Sequence, residues 1–448
     1  MPTGSNPLPA RLLMRGAFRW RPLPRGGRAR VGGANATRRW VAGALASLAM
    51  AIGAANACQA GGLAPEAVEI FGEVELEGTV FAEEPQFQGQ DRDSLSIAGQ
   101  VTLLAEWLDG DLALRLTPFA RLDSADARRS HWDIREAKLD YVTGPWSFTL
   151  GADTVFWGKT EVVHLVDIIN QTDQVEGLDD EDRLGQPMLR VGYLADWGEI
   201  SGFVLPYFRE RTFPGTSGRL RTNPPVNTAL PVYDTAAEEW TPSFAARYAG
   251  VFGDVDLGLS AFHGLGRDPA FFFDPVQNAL RPFYERITQV GVDAQYTTDA
   301  TLWKLEAIWR GGQRNALFRE EPFLAATGGV EYTLFGIAET NADLGLIAEY
   351  AWDQRGDEAL TNFQNDLILG ARLALNDEAD TALLLTGALD TTDGSTAFRI
   401  EADRRLSENW TLGLEGQAFI GLDRGTPAGA FADDSFLRVN LTYFFGVE

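Results

Sequence analysis

From residue 68 onward the chain is written in a two-residue rhythm. Val68, Ile70, Val74, Leu76 and Val80 alternate with Glu69, Phe71, Glu73, Glu75, Glu77 and Thr79. Leu95, Ile97, Val101, Leu103 and Trp107 alternate with Ser94, Ser96, Gln100, Thr102 and Glu106, and near the end Leu437, Val439, Leu441, Tyr443 and Phe445 flank Arg438, Asn440 and Thr442. A period of two sends successive side chains to opposite faces of a strand, so each segment has one apolar and one polar face. The pattern predicts strands at 69–81, 94–108, 111–122, 133–142, 146–156, 188–194, 200–209, 243–251, 255–263, 287–297, 302–310, 327–335, 344–352, 366–375, 381–389, 396–404, 410–420 and 436–445.

The connections alternate in length. Asp109-Gly110, Thr143-Gly144-Pro145, Asp196-Trp197-Gly198, Gly253-Asp254, Thr298-Asp299 and Asn376 to Asp380 read as tight turns, with longer stretches at 82–93, 123–132, 157–187, 210–242, 264–286, 311–326, 353–365 and 421–435. Past residue 57 nothing approaches the roughly 20 continuous apolar residues of a membrane helix. In hydrocarbon every backbone amide must be paired within the protein, which leaves the closed sheet as the other spanning structure. The expected fold is therefore all-β, a transmembrane antiparallel up-and-down β-barrel of about 18 strands, with turns on the periplasmic side and loops outside. The hairpin at 381–404 has only Asp390 to Ser395 as its outer connection, which leaves 16 strands as the other count.

Ahead of the barrel, Arg38-Arg39 precedes an apolar stretch from Trp40 to Ile52 and small residues at Ala55-Asn56-Ala57, the order of a secretory signal. Residues 1–57 are expected to be a signal peptide with a long leader, and 58–448 a single barrel domain. The whole chain has a formal charge of −25. Residues 1–57 hold nine Arg and no acid, so the rest carries 29 Lys and Arg against 63 Asp and Glu. Such an acidic protein is not expected to bind nucleic acid, where basic surface supplies most of the affinity. One Cys and three His leave no disulfide framework, thiolate cluster or His-rich metal site, and no metal or cofactor is expected.

A barrel of this size is too wide to fill with wall side chains and holds a water channel. The polar parity places Glu73, Glu75, Glu106, Arg115, Arg121, Arg190, Arg247, Lys304, Glu306, Glu331, Arg372, Arg399, Glu415 and Arg438 as pore-lining candidates. Charges facing a lumen set ion selectivity or merely keep it wet; the excess of acid suggests a mild cation preference. The acids Asp173, Glu176, Asp179, Asp180, Glu181 and Asp182 crowd one loop as a solvated face, or as a site where divalent cations bridge lipopolysaccharide phosphates. Trp107, Trp132, Trp146, Trp157, Tyr193, Trp197, Tyr207, Trp240, Trp410 and Tyr443 near strand ends suit aromatic girdles. His164 with Asp167 and Asn170, or His131 with Ser130 and Asp133, offer the material of a hydrolase site, but no Gly-x-Ser-x-Gly elbow accompanies them, and no enzymatic activity is expected.

Ile134-Arg135-Glu136-Ala137-Lys138-Leu139-Asp140-Tyr141, then Trp146 to Trp157-Gly158, then Asp167-Ile168-Ile169-Asn170-Gln171-Thr172-Asp173, resemble a pattern of porin-like outer-membrane barrels of proteobacteria, including alginate-export-type channels and related barrel families. Leu205 to Pro214 resembles the strand and outer loop that follow. Departures are Gly151-Ala152-Asp153 before the Trp-Gly step, Gln171-Thr172, and the end Phe444-Phe445-Gly446-Val447-Glu448. The resemblance implies a cell outer membrane protein of Gram-negative type, in contact with membrane lipid and lipopolysaccharide and inserted by the barrel-assembly machinery. From the barrel's diameter, the expected function is a channel for passive diffusion or export of small polar or charged solutes, as a homotrimer or a monomer. The alternative is a non-conducting barrel with an adhesive or envelope-structural role. Within the pattern, the 157–187 loop is the candidate to fold into the mouth, with Trp157, Asp167, Asn170 and Asp173 as constriction-loop candidates; a plain extracellular loop is the other reading.

Overall fold

The computed structural model describes residues 64–447, so the secretory segment expected at 1–57 lies outside the described residues. Eighteen strands form one sheet: β1 (Ala67–Phe81), β2 (Asp93–Trp107), β3 (Leu112–Asp123), β4 (Trp132–Thr143), β5 (Trp146–Asp153), β6 (Gln186–Ala195), β7 (Gly198–Leu205), β8 (Ser243–Phe252), β9 (Val255–Leu265), β10 (Arg286–Thr297), β11 (Thr301–Gly311), β12 (Phe323–Leu334), β13 (Asp343–Asp353), β14 (Asn365–Ala374), β15 (Ala382–Asp390), β16 (Thr396–Arg405), β17 (Trp410–Ile420) and β18 (Phe436–Val447). Each pairs antiparallel with its sequence neighbour, and β18 returns to β1 in register from Ile70↔Val447 to Phe81↔Phe436. The sheet is thereby closed and has no edge, as hydrocarbon requires. The doubtful hairpin is real, since β15 and β16 pair from Ala382↔Asp403 to Leu389↔Thr396, which fixes the count at 18.

Burial shows which parity faces in. Ser94 and Ser96 are each 7% exposed while Leu95 between them is 66% exposed. The outward face is a belt of Val, Leu, Ile and Phe that meets lipid, with rings at both rims. At the turn end Trp146 packs edge-on against Tyr193 at 4.8 Å, and Trp410 lies 5.0 Å from Tyr443; at the loop end Tyr207 meets Trp240 at 4.9 Å. Trp157 departs from the girdle expectation: it is buried inside the barrel, where it packs on Phe203.

One irregularity matters for the lumen. The β3–β4 register shifts between Thr117 and Pro118, where proline has no N–H for the ladder. The bulge turns two consecutive β4 residues inward, so that Arg135 reaches Asp173 while Glu136 reaches Lys138. Above the loop end, the short strands Ala270–Asp274 and Ala279–Tyr284 form an outer hairpin with Val232–Tyr233 alongside.

Candidate functional site: the lumen and its inward loop

The connection 154–185 between β5 and β6 does not stand outside the barrel. It carries Val162, Val163, Leu165, Val166, Ile168 and Ile169, an apolar run that water would not accommodate. The inner wall offers a matching patch. Met188, Phe203, Leu205, Ala245, Phe262, Ile287, Ile308, Phe323 and Ala325 occupy inward positions and enclose Trp157, Val166, Ile168 and Ile169. Further round the wall, Val163 packs on Ala351 and Ile368. Burying each of the fully enclosed aliphatics contributes about 1.5–3 kcal/mol, which holds the loop against β6–β15.

Two wall carboxylates fix its backbone. Glu306 Oε1 accepts the Lys159 and Thr160 amides at 2.7 and 3.2 Å, and Oε2 accepts the Val166 amide at 3.2 Å. Glu349 accepts the Glu161 amide at 2.9 and 3.0 Å with its two oxygens. The side chain of Glu161 then lies 2.6 Å from Arg372 and 3.6 Å from Lys304. Gly158 allows the chain to pass this close, because a Cβ there would meet His164 Nδ1 and Phe156 at 3.0 Å and Glu306 Oε1 at 3.2 Å.

The acidic end of the loop crosses to the other side of the lumen. Glu176 pairs with Arg121 at 2.6 Å and with Arg129 at 3.6 Å, and Asp179 pairs with Arg399 at 2.7 Å. Asp173 receives Arg135 at 2.7 Å, Thr212 at 2.7 Å and His131 at 3.3 Å. Burial alone would raise the Asp173 carboxyl, but Arg135 and the His131 hydrogen bond hold it far below the usual carboxylate range. Burial likewise disfavours charged His131, yet its bond to Asp173 and the nearby Glu176 raise it above the ordinary imidazole value. His131, Asp173 and Glu176 bring ligand-type atoms within 4.8 Å of one another. Three guanidiniums already sit on these carboxylates, so the charge there fits an ion-pair hub and opposes a metal cation.

The constriction-loop candidates turn out to be the fastenings of this loop. Trp157 lies between Phe203 and the Arg247 guanidinium, 5.0 Å from its ring centre. Asp167 accepts from Arg183 at 2.8 Å; burial raises its carboxyl despite that partner. Asn170 accepts the Val155 amide and donates to the carbonyls of Asp153 and Leu184. Asp167 and Asn170 also touch the open lumen.

Beside the loop a cavity of about 2340 Å³ runs from Gln86 and Asp423 at the loop end to Gln295, Leu302 and Glu73 toward the turn end. Of the pore-lining candidates, Glu73, Glu75, Arg121, Lys304, Glu331, Arg372, Arg399 and Glu415 line it. The other six face inward without lining it. Glu306 is covered by the loop, and Arg247 is held bidentate by Asp293 at 2.9 Å beneath Trp157. Arg190 pairs with Glu199 at 2.6 Å, and Arg438 is enclosed between Glu415 and Glu77. Arg115 lies 3.9 Å from Glu136, and Glu106 sits at the turn end of β2 opposite Ala67. The alternation marks Glu349 and Arg310 as inward, polar-face positions of β13 and β11, but Lys159, Glu161, Arg211, Arg267 and Arg355 lie in loops, which have no parity to read. The sequence reading passed over the Phe side chains that line the cavity, among them Phe119, Phe363 and Phe419. Among lining residues, nineteen Asp and Glu face twelve Lys and Arg.

The two histidine clusters do not form nucleophile and base pairs. Ser130 donates to the Asp123 carbonyl at 2.7 Å while His131 addresses Arg129 O and Asp173. His164 stands edge-on to Phe156, 3.9 Å from Glu306.

A closed antiparallel sheet, an apolar belt between aromatic rims and a polar lumen define an outer-membrane β-barrel. No family model and no curated protein matches the chain. Solved structures similar to it include a mutant of the Rh. blastica porin, with TM-score 0.42 and 13% identity over 85% of this chain and 100% of that chain. A loop-deletion mutant of OmpT, an outer membrane protein of Vibrio cholerae, is similar with TM-score 0.40 and 10% identity over 85% and 99% of the two chains. A structure described as "Asymmetric conductivity of engineered proteins" has TM-score 0.41 and 14% identity over 85% and 100%. These are similarities of fold, and the barrel assignment stands on strand register and closure.

Proposed function

We propose that the protein is a porin-like channel of the outer membrane through which small polar or charged solutes diffuse without cofactor or energy input. The cavity that extends along the lumen beside the inward loop carries this reading, because wall residues alone leave an 18-stranded barrel open and the loop, fastened on both sides, leaves that cavity beside it. The surplus of lining carboxylates supports a preference for cations, by the field they set up in a confined lumen. The lining candidates above are the groups assigned to that field, and Glu161, Lys304 and Arg372 to its narrowing by the loop.

Purified protein in a planar bilayer under a potassium chloride gradient tests this. Discrete current steps with a reversal potential of cation-selective sign are expected. A folded barrel that passes no current would contradict the channel and favour an adhesive or structural role; anion-selective steps would contradict the assigned polarity.

A further inference from the structure

Charged groups in the outer vestibule are sorted by sector. Arg211, Arg267, Arg310 and Arg355 come from the 206–242 loop, the start of the outer hairpin, β11 and the connection after β13, and all four line the cavity. Each guanidinium is held in place. Arg211 and Arg310 take the two oxygens of Asp268 at 2.8 and 3.1 Å, Arg355 takes both oxygens of Asp353 at 3.0 and 2.7 Å, and Arg310 and Arg355 share Gln313 Oε1 at 3.2 and 3.3 Å. Arg267 has no carboxylate at ion-pair distance among the described residues. It donates to the carbonyls of Ile169 at 2.6 Å and Leu265 at 2.9 Å and is only 4% exposed.

At ion-pair distance the four guanidiniums meet two carboxylates, Asp268 and Asp353, and Asp167 acts on Arg267 from farther off. Burial pushes Arg267 down to about 9, with Asp268 and Asp167 resisting the fall, and Asp268 is held at about 2 because Arg211 and Arg310 outweigh its burial. A buried surplus of positive charge is costly until an anion supplies the balance. Fixed guanidinium forks match the two oxygens of a carboxylate.

Gln364 links the cationic run to an anionic one. The Asp353 amide donates to the Gln364 carbonyl at 2.9 Å, and the Gln364 side chain donates to Asp390 at 2.6 Å. Asp390 faces Asp366 across the β14–β15 ladder, and both line the cavity. A bare anion entering here meets a lumen dominated by carboxylates, and a bare cation gains nothing from the arginines. A compact zwitterion is served by both sectors.

We propose that Arg211, Arg267, Arg310 and Arg355 form a subsite for the carboxylate of a compact zwitterionic solute, an amino carboxylate, whose ammonium end lies toward Asp366 and Asp390. This assignment of solute class rests on the channel reading above. The test reads potassium current through the purified full barrel while solute is titrated on the loop side. The probes are alanine, propionate, which lacks the ammonium, and lactamide, which has the same skeleton without charge.

Alanine is expected to reduce the current saturably and at lower concentration than propionate, while lactamide acts only through viscosity. Arg355→Gln is expected to raise the half-saturating alanine concentration about tenfold, the loss of one charge-assisted hydrogen bond. Asp390→Asn is expected to raise it about threefold for alanine and not to raise it for propionate. Arg211→Gln keeps the Asp353 and Gln313 contacts and serves as the second arginine variant, with heat-modifiable migration on gels reporting folding in each case. Equal effects of alanine and lactamide, or unchanged saturation in both folded arginine variants, would overturn the proposal. Absence of current steps from every preparation would overturn the channel reading itself, so the two failures are distinguishable.

Discussion

Replacing Glu306 by glutamine probes the device that holds the loop inside the barrel. In the native protein one carboxylate receives three backbone amides, two on Oε1 and one on Oε2. Glutamine keeps the volume but presents an NH₂ where an acceptor was, so at least one amide loses its partner and the rest lose the charge. A hydrogen bond to a charged group is worth about 1.5–3 kcal/mol, and a buried donor left unpaired costs about 1–3 kcal/mol. The docked loop is therefore expected to lose about 2–4 kcal/mol, which multiplies the undocked fraction by roughly 30 to 1,000. Amide exchange read by mass spectrometry on the 154–170 segment checks this. Exchange there is expected to accelerate by that factor while strand peptides from β1, β2 and β18 keep native protection. Current traces are expected to gain transitions to a second level. Unchanged protection over 154–170 would refute the assignment of Glu306 as the loop's anchor.

Three further outcomes follow from the same geometry. Gly158→Val places a branched side chain where Glu306 Oε1, His164 and Phe156 already sit within 3.2 Å of a Cβ, so amide exchange of the loop is expected to rise as in Glu306→Gln, with the barrel still folded. Leu305→Arg puts a charge in the lipid-facing belt, since Leu305 is 47% exposed there; unfolding from bilayers in denaturant is expected to show a loss of about 2–4 kcal/mol. His131 titrates above its ordinary value because Asp173 and Glu176 favour the imidazolium despite burial. Its contribution to the loop is fully present below the ordinary imidazole pKa and is lost as pH rises through the elevated one. Imidazole NMR titration is expected to show that elevation in the native protein and its disappearance in Asp173→Asn.

The wall was legible because alternation is dictated residue by residue: each of the eighteen predicted segments coincides with a strand, and the turns fall where Gly, Asp and Asn allow them. Strand ends were less so, as at β12, which begins at Phe323 where the periodicity pointed to 327, because small residues there suit either a loop or a ladder. The 157–187 stretch could be picked out by position as able to fold inward, but the alternation did not decide between that and an external loop. Trp157 and Asp173 are buried fastenings of the loop, while Asp167 and Asn170 both fasten it and touch the open lumen. A signal was present in the strands themselves. Phe203, Phe262, Ile287, Ile308 and Phe323 are large apolar residues at inward parity, and an inward apolar patch in a wide barrel needs something apolar to cover it. The apolar run 162–169 in the same sequence was its complement. The arginine sector carried a signal only at Arg310, inward on β11, because Arg211, Arg267 and Arg355 join it from loops far apart in the chain.

The claim that the lumen is divided, with the apolar stretch of the loop covering one wall and an open path beside it, is tested most directly by single cysteines and a membrane-impermeant cationic thiol reagent during current recording. Gln417→Cys lies on the open path, whereas Ser260→Cys faces inward beneath Val166, which lies at 3.0 Å from the Cβ position of the neighbouring Gly291. Rapid loss of current at position 417 with no change at position 260 is the predicted result. Equal reaction at both positions would show the lumen undivided, and reaction at position 260 alone would place the path on the opposite side.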